Sequence, residues 1–175
     1  MVPMVSVVGY SNSGKTTLIE KLLTEFQRRG YRVGTIKHDA HGFELDHPGK
    51  DTWRHRQAGA QAVVISSPSR WALIRDVERE LNLDEIAAHL SDLDLIIAEG
   101  YKRGNKPKIE VYRARQGTQP LCTSDDRLIA VATDNLEWVK KQAAQWPVSV
   151  PCFDWNDAPG IADLIEKQFL QQRQK

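Results

Sequence analysis

A phosphate-binding loop pattern near the amino terminus constrains the fold of this chain more than any other feature. Residues 9–16 read GYSNSGKT, which satisfies the pattern G-x-x-x-x-G-K followed by Ser or Thr. The apolar run at residues 5–8 predicts a buried strand directly before the loop. A strand, this loop and a helix in succession form the context in which the pattern binds phosphate. The helix is predicted from apolar residues at helical spacing, namely Leu18, Ile19, Leu22, Leu23 and Phe26.

The residue types in this loop suit a nucleotide phosphate. Gly9 and Gly14 permit backbone conformations and close approaches that a Cβ atom would obstruct. Backbone N–H groups of the loop and of the helix start can then surround an anion. Lys15 is predicted to bring its charge to the β- and γ-phosphates, and Thr16 to bring a hydroxyl to Mg²⁺. The predicted phosphate-binding residues are Gly9, Ser11, Asn12, Ser13, Gly14, Lys15 and Thr16.

Length and composition narrow the class of protein. A chain of 175 residues predicts a single domain, residues 1–175, with room for a sizeable core. Lys and Arg number 24 and Asp and Glu number 23, so the charge balance favours neither nucleic-acid nor membrane binding. A mean hydropathy of -0.49 without a long apolar run argues against a membrane span. Cys122 and Cys152 lack CxxC spacing, which indicates a reducing cytoplasm and no structural zinc.

Strand-like and helical segments alternate along the chain. This alternation predicts an α/β fold of the P-loop NTPase type, with a mostly parallel sheet and helices on both faces. Residues 61–66 and 71–75 flank a turn and predict an inserted β-hairpin. Ligands of such sheets bind at the carboxyl ends of the strands. Further strands are predicted at 32–36, 93–98, 109–112, 128–132 and within 148–153, helices at 51–58, from 82 or 84 to 89, at 136–144 and at 161–169, and a frayed tail from Gln171.

Two acidic residues at predicted strand ends are candidates for the catalytic site. Glu99 follows the apolar strand at 93–98, where the Walker B carboxylate of a P-loop protein holds Mg²⁺ directly or through water. Asp94, the rival acid, lies at the opposite end of that strand and is the weaker candidate. Asp39 follows the second strand and could orient an attacking water or complete the Mg²⁺ shell. The predicted catalytic residues are therefore Lys15, Asp39 and Glu99.

Two polar segments allow a functional and a purely structural interpretation. His38, His41 and His47, with Asp39, Glu44 and Asp46, could form a metal cluster, although their spacing matches no closed zinc pattern. Ordinary polar loop residues are the favoured interpretation. In the helix predicted at 51–58, Arg54 or Arg56 could meet phosphate charge, in the same chain or from a second subunit. Surface salt bridges explain these arginines equally well.

Asp134 is the candidate for reading the base. It follows a late apolar strand, at a place where guanine-binding P-loop proteins use an aspartate to accept two N–H bonds from the guanine edge. The usual Asn-Lys-x-Asp motif is absent, so a plain turn residue is an equal alternative.

Four segments together resemble a known family. They are GYSNSGKTTL at 9–18, KHD at 37–39, DTWRHRQAGA at 51–60 and LIIAEGYK at 95–102. The set is similar to the MobB family of molybdopterin-guanine dinucleotide biosynthesis adapter proteins, from residue 5 to about residue 135. The phosphate loop alone is shared by many NTPases. The segments at 51–60 and 95–102 make the match specific.

This resemblance implies a function that composition does not. The MobB family binds GTP with weak GTPase activity, is dimeric, and assists the guanylyltransferase MobA and other cofactor-maturation proteins rather than transferring GMP itself. By family position, Gly14, Lys15, Thr16 and Thr17 would hold phosphate and Mg²⁺, and Glu99 would be the Walker B acid. The preference for GTP over ATP rests on the family, with Asp134 in support.

Two other functions remain open at the level of sequence. A small-molecule kinase using ATP would share the loop, although the chain shows no arginine-rich lid beyond the segment 102–106. Molybdopterin could also bind directly, through the basic stretch of Lys102, Arg103, Lys106 and Lys108. A solvated basic loop is the favoured interpretation of that stretch.

Overall fold

A computed structural model describes residues 1–114, 119–147 and 149–171 of the chain. The chain divides into two compact units, one made of Met1–His38 with Ile86–Lys175 and the other of Asp39–Glu85. The single domain expected from the length stays a prediction. The frayed tail lies outside the described residues except for Gln171, and so does Val148 of the last predicted strand. Among the described residues, no helix combines the length and the apolar character that a membrane crossing needs.

The elements agree closely with the periodicity of the sequence. Gly30, at φ +84°, follows the first helix, where a glycine in the left-handed region favours a helix end. The final helix, predicted as one segment, runs to Ile165 and continues as a π-helical turn over Glu166–Leu170. The elements are β1 (Met4–Val8), α1 (Lys15–Arg28), β2 (Val33–Lys37), α2 (Asp51–Gln57), β3 (Ala62–Ser67), β4 (Arg70–Arg75), α3 (Leu83–Ala87), β5 (Leu95–Glu99), β6 (Lys108–Tyr112), β7 (Leu128–Thr133), α4 (Leu136–Ala143), β8 (Cys152–Asp154) and α5 (Ala158–Ile165).

The first unit is built on a six-stranded parallel sheet in the order β2-β5-β1-β6-β7-β8. β1 lies between β5 and β6, and its register pairs Val7 with Glu99 and with Ile109. β2 pairs with β5 so that Lys37 also lies opposite Glu99. Because all the strands are parallel, their carboxyl ends meet at one edge of the sheet, which is the edge where the phosphate loop leaves β1.

Helices cover both faces of this sheet, as predicted. On one face, α1 and α5 bury Leu22, Phe26, Ile161 and Ile165 against the strands. On the other face, α4 buries Val139, and its neighbour Trp138 stacks on Tyr112 of β6 with the ring centroids 5.5 Å apart. Strand side chains alternate between the two faces, so each strand contributes apolar residues to both layers.

β6 carries two buried charged side chains on the face that α4 covers. Lys108 is 1% exposed, and its Nζ donates to Asp125 Oδ2 and to Gly104 O, each at 2.7 Å. Glu110 is fully buried and accepts hydrogen bonds from the backbone N–H groups of Leu121 and Cys122 at 2.6 and 2.9 Å. These contacts fix the segments before and after β6 to the sheet. Assigning Lys108 to an exposed basic stretch was therefore wrong, because the side chain is buried and paired.

The second unit contains α2 and the predicted hairpin of β3 and β4. The two strands pair antiparallel, with Val64 opposite Leu73 and Ser66 opposite Trp71. Arg56 of α2 lies 2.9 Å from Glu44 and 3.6 Å from Asp76, and its side chain is mostly buried. Arg56 therefore forms salt bridges, as one of the two interpretations of this helix predicted. Arg54 lies 3.9 Å from Asp51 and is exposed.

Candidate functional site

The phosphate loop adopts backbone angles that require its glycines. Gly9 has φ +144°, and a Cβ atom there would lie 2.4 Å from the carbonyl oxygen of Val111 on β6. Gly14 has φ +97°, and Asn12 also lies in the left-handed region at φ +58°. These angles fold the loop tightly between β1 and α1, while Gly9 allows it to pass directly against β6.

The amino terminus of α1 lacks an internal cap. Gly14 is the residue before the helix, and no side chain among the described residues caps it with a hydrogen bond. The first turn also lacks an acidic side chain. The first N–H groups of a helix have no partner within the helix, and the helix dipole places partial positive charge there. This end of α1 is therefore suited to an anion.

Lys15 folds back over the loop. Its Nζ donates to Tyr10 O at 2.8 Å and to Gly9 O at 3.3 Å. Burial lowers the pKa of the Lys15 ammonium and nearby Lys37 lowers it further, whereas the negative charge of Glu99 opposes that shift. The loop carbonyls thus hold the ammonium beside the predicted phosphate site.

Thr16 and Glu99 meet at the same edge of the sheet. Thr16 Oγ1 lies 3.1 Å from both carboxylate oxygens of Glu99, at the end of β5. Gly100, next in the chain, has φ +94°, and its N–H donates to Val7 O at 3.0 Å. The pairing of β5 beside β1 therefore places the predicted Walker B acid next to the first turn of α1.

The donor set of Thr16 and Glu99 fits Mg²⁺. Both are oxygen ligands, and both side chains lie partly or fully open to solvent at the end of the sheet. Mg²⁺ binds such sites through one or two protein oxygens together with water and phosphate oxygens. When bound, the ion would supply positive charge to the phosphate groups.

Asp39 and the histidine-containing loop belong to the second unit. Asp39 Oδ1 accepts a hydrogen bond from the N–H of His41 at 2.9 Å. Glu44 Oε1 accepts from the N–H groups of Leu45 and Asp46, and the hydrogen bond from the N–H of Asp46, followed by that from Arg56, lowers the pKa of its carboxyl. Nowhere in the described ranges do three His, Cys, Asp or Glu side chains come together as a metal site would require.

Asp134 lies where the sequence predicts it, directly after β7. Its Oδ1 accepts a hydrogen bond from the N–H of Ala114 at 3.1 Å, which ties the segment after β6 to the end of β7. Asn135 caps α4 by accepting from the N–H of Trp138 at 3.1 Å. The side chain of Asp134 is exposed, and its role in reading a base stays a prediction.

The structure also brings two residues to the loop that sequence analysis passed over. Trp155, which follows β8, lies against Gly14, and the guanidinium carbon of Arg113 lies 4.3 Å from the centroid of its ring. One feature of the sequence could have pointed to these two residues as parts of the site. Arg113 directly follows a predicted strand, and Trp155 comes shortly after another. The five tryptophans show no common spacing in the sequence, a pattern that favours packing over ligand binding as the role of Trp155.

Comparison with known proteins gives the family. The profile of the family described as MobB, Molybdopterin guanine dinucleotide synthesis protein B, matches residues 4–134. This chain belongs to the MobB family. The match contains the phosphate loop, Asp39, Glu99 and Asp134, and it ends before Trp155.

Curated relatives and solved structures agree with this assignment. The chain is 37% identical over 169 residues to the molybdopterin-guanine dinucleotide biosynthesis adapter protein of Haemophilus influenzae, covering 94% of this chain and 88% of the relative. It is 37% identical to the protein of the same name from Escherichia coli K12, covering 98% and 96%. A crystal structure of molybdopterin-guanine biosynthesis protein B superposes with a TM-score of 0.68 at 30% identity, covering 95% and 98%. A MobB homologue from Bacillus stearothermophilus superposes at 0.66 with 26% identity, covering 97% and 99%.

Proposed function

We propose that this MobB family member is a GTP-binding adapter with weak GTPase activity that assists the guanylyltransferase MobA in molybdopterin-guanine dinucleotide synthesis. The observation that carries nucleotide binding is the juxtaposition of Thr16 and Glu99, 3.1 Å apart, at the uncapped start of α1. A phosphate loop, a Walker A hydroxyl and a strand-end carboxylate are the parts that a Mg²⁺-nucleotide site needs. The names of the relatives support the adapter role.

The proposed mechanism is electrostatic. The backbone N–H groups from Ser11 to Thr17 and the ammonium of Lys15 would neutralise the phosphate charge that shifts during hydrolysis. Lys15 would exchange its contacts with the loop carbonyls for the β- and γ-phosphates. Thr16 and Glu99 would hold Mg²⁺. The sequence offers Asp39 as the candidate for orienting the attacking water and shows no obvious general base, which is consistent with slow turnover.

The base would bind on the side of the loop where β6 and β7 end. Asp134 has one carboxylate oxygen tied to Ala114 N, and its second oxygen is proposed to accept N–H groups of guanine. The first test is calorimetric titration of GTP, GDP and ATP with Mg²⁺, repeated on Asp134→Ala. Tighter binding of guanine nucleotides that the variant loses would support the proposal. Equal or tighter binding of ATP would contradict it and favour the alternative of a small-molecule kinase.

The hairpin supports a homodimer as the proposed assembly. Its strands expose Val64, Ile65, Trp71 and Leu73, of which Trp71 is 62% exposed. Val64, Leu73 and Trp71 share one face by the strand register, and a two-stranded sheet leaves its outer edges available for pairing. Exposed apolar side chains grouped in this way mark interaction surfaces.

A charge placed on this face tests the dimer. Leu73→Lys should convert the protein to a monomer in analytical ultracentrifugation, because a lysine on an apolar interface loses its hydration. Val77→Lys is the matched control, since Val77 is also exposed but lies outside both strands. A wild-type monomer, or a Leu73→Lys dimer, would contradict the assignment of this surface.

Direct binding of molybdopterin is a second candidate that one observation favours. An open pocket of about 540 Å³ in the first unit is lined by Lys102, Arg103 and Arg127, and also by Asp125 and Asp126, with which Arg127 pairs. Guanidinium and ammonium groups suit the phosphate of a pterin cofactor. Lys102→Glu with Arg103→Glu should abolish retention of the cofactor during gel filtration, and undiminished retention would dismiss this candidate.

A further inference from the structure

The order of the strands determines which end of a bound nucleotide would lie over which strands. Glu99 ends β5 on one side of β1, whereas the segments after β6, β7 and β8 lie on the other side. If Glu99 and Thr16 hold Mg²⁺, the terminal phosphates lie toward β5. The nucleoside end of a bound nucleotide then extends over the ends of β6, β7 and β8. Three strand spacings of about 4.8 Å span about 14 Å, which accommodates a nucleoside.

Trp155 lies on this nucleoside side and reaches back to the phosphate loop. A Cβ atom on Gly14 would lie 2.9 Å from Cζ3 and 3.3 Å from Cε3 of the indole. The 2.9 Å distance is closer than a real Cβ contact allows, and the 3.3 Å distance is tighter than most, so the ring packs directly on the loop backbone. Gly14 is also the residue directly before the first turn of α1. One edge of the indole therefore adjoins the predicted phosphate site.

The main chain around Trp155 fixes its position. The N–H of Trp155 donates to Thr133 O at 3.0 Å, which joins it to the end of β7 directly before Asp134. Asp154 Oδ1 accepts from the N–H of Asn156, and Asp157 caps α5 by accepting from the N–H of Gly160. Trp155 is thus held between the end of β8 and the start of α5, beside the predicted base reader.

Two cations surround the ring. The guanidinium carbon of Arg113 lies 4.3 Å from the ring centroid, and Lys21 Nζ lies 5.5 Å from it. Arg113 Nε is buried and has no hydrogen-bond partner in the described structure, although a buried guanidinium nitrogen usually has one. Lys21 Nζ also donates to Asn156 Oδ1 at 2.6 Å. The site thus combines a flat aromatic surface with positive charge, next to a loop that binds phosphate.

We propose that Trp155 is a base-contacting residue of the nucleotide site, with Arg113 as the residue that positions its ring. The ligand class is a purine nucleoside polyphosphate, whose base meets the indole while its phosphates occupy the loop. Aromatic surfaces bind every base through its π-face, so Trp155 supplies affinity and Asp134 selects the base. This inference rests on the proposed nucleotide binding and adds a residue that the family match, ending at residue 134, does not contain.

The test compares a ligand that has a base with one that has none. GTP and inorganic tripolyphosphate, each with Mg²⁺, are titrated calorimetrically into wild-type protein and Trp155→Leu. We expect GTP binding to weaken about tenfold in the variant, since stacking on one aromatic side chain contributes about that much, whereas tripolyphosphate binding stays unchanged. Equal weakening of both ligands would overturn the proposal, because Trp155 would then only support the loop. Unchanged GTP binding would also overturn it.

Tryptophan fluorescence provides a second measurement, which uses a conservative substitution of Trp155. Trp155→Phe keeps an aromatic ring, so GTP affinity should stay within about threefold, whereas the GTP-induced change in tryptophan emission should disappear. Trp146→Phe is the matched control, because Trp146 packs with the α4 cluster on the other face of the sheet. An emission change that survives in Trp155→Phe would contradict the inference. A wild-type protein that binds neither GTP nor tripolyphosphate would instead refute the proposed function itself.

Discussion

Thr16 Oγ1 lies 3.1 Å from both carboxylate oxygens of Glu99, although 83 residues separate the two in the sequence. Thr16 lies in the first turn of α1, and Glu99 is the last residue of β5, the strand that pairs with β1. A hydroxyl and a carboxylate in this position can share one Mg²⁺ ion. The proposed function and the direction of the nucleotide site both depend on this pair.

Loss of the Glu99 carboxylate should weaken the Mg²⁺ dependence of GTP binding more than it weakens GTP binding itself. We expect Glu99→Ala to bind GTP in EDTA about as well as wild type. The gain in GTP affinity that Mg²⁺ produces should be about tenfold smaller in the variant, which corresponds to about 1.4 kcal/mol. Calorimetric titration of GTP at several Mg²⁺ concentrations measures this. Asp94→Ala, at the other end of the same strand, is the control and should behave as wild type. Superimposable Mg²⁺ titrations for Glu99→Ala and wild type would reject the assigned role.

Removal of the Lys15 ammonium should abolish nucleotide binding. A hydrogen bond to a charged group contributes about 1.5–3 kcal/mol, and Lys15 is proposed to contact two phosphates, so Lys15→Ala should weaken GTP at least a hundredfold. Lys141→Ala removes the same charge from an exposed position on α4 and should leave the affinity unchanged. Calorimetry on both variants decides the point, and an unaltered affinity in Lys15→Ala would refute the phosphate-loop assignment.

The buried pair of Lys108 and Asp125 should be important for stability. Asp125→Ala would leave the buried ammonium of Lys108 with the carbonyl of Gly104 as its remaining partner among the described residues, which should cost about 3 kcal/mol of unfolding free energy. Asp126→Ala is the control, because that side chain is 85% exposed and should change stability by less than about 0.5 kcal/mol. Urea unfolding followed by circular dichroism measures both. Equal stabilities for the two variants would show that Lys108 does not need Asp125.

Glu25 on α1 should give the protein a measurable acid sensitivity. Hydrogen bonds from Arg28 and then Arg29 lower the pKa of its carboxyl to about 2. A folded-state pKa below the unfolded value of 4.5 means that the stabilisation is complete above pH 4.5 and is lost as the pH falls toward 2. Glu25→Gln should therefore be less stable than wild type at pH 7, with the difference shrinking between pH 4.5 and 2.

Unfolding in urea from pH 7 to pH 2.5 tests this dependence on Glu25. Glu20→Gln, an exposed position on the same helix, should follow the wild-type curve at every pH. A gap between wild type and Glu25→Gln that stays constant down to pH 2.5 would mean that the arginine contacts do not depend on the charge of Glu25.

Local patterns in the sequence sufficed for much of the fold. The phosphate loop, the helix that follows it and the hairpin lie where their own residues predict them, because loop geometry, periodicity and turns are properties of short segments. The environment of Lys108 could not be read in this way. Its position next to other basic residues indicated a solvated stretch, whereas pairing with Asp125 on the segment before β7 buries it.

The sequence by itself determined that a phosphate loop joins a buried strand to a helix, and that strand-end acids such as Glu99 are candidates for its partners. Only the tertiary structure decided which partners reach the loop. Placing β5 beside β1 brings Glu99 to Thr16, and the position of β8 at the far edge of the sheet carries Trp155 back to Gly14. Contacts between residues far apart in the chain depend on strand order and register. These are set by the packing of the whole unit and leave no mark in any single segment.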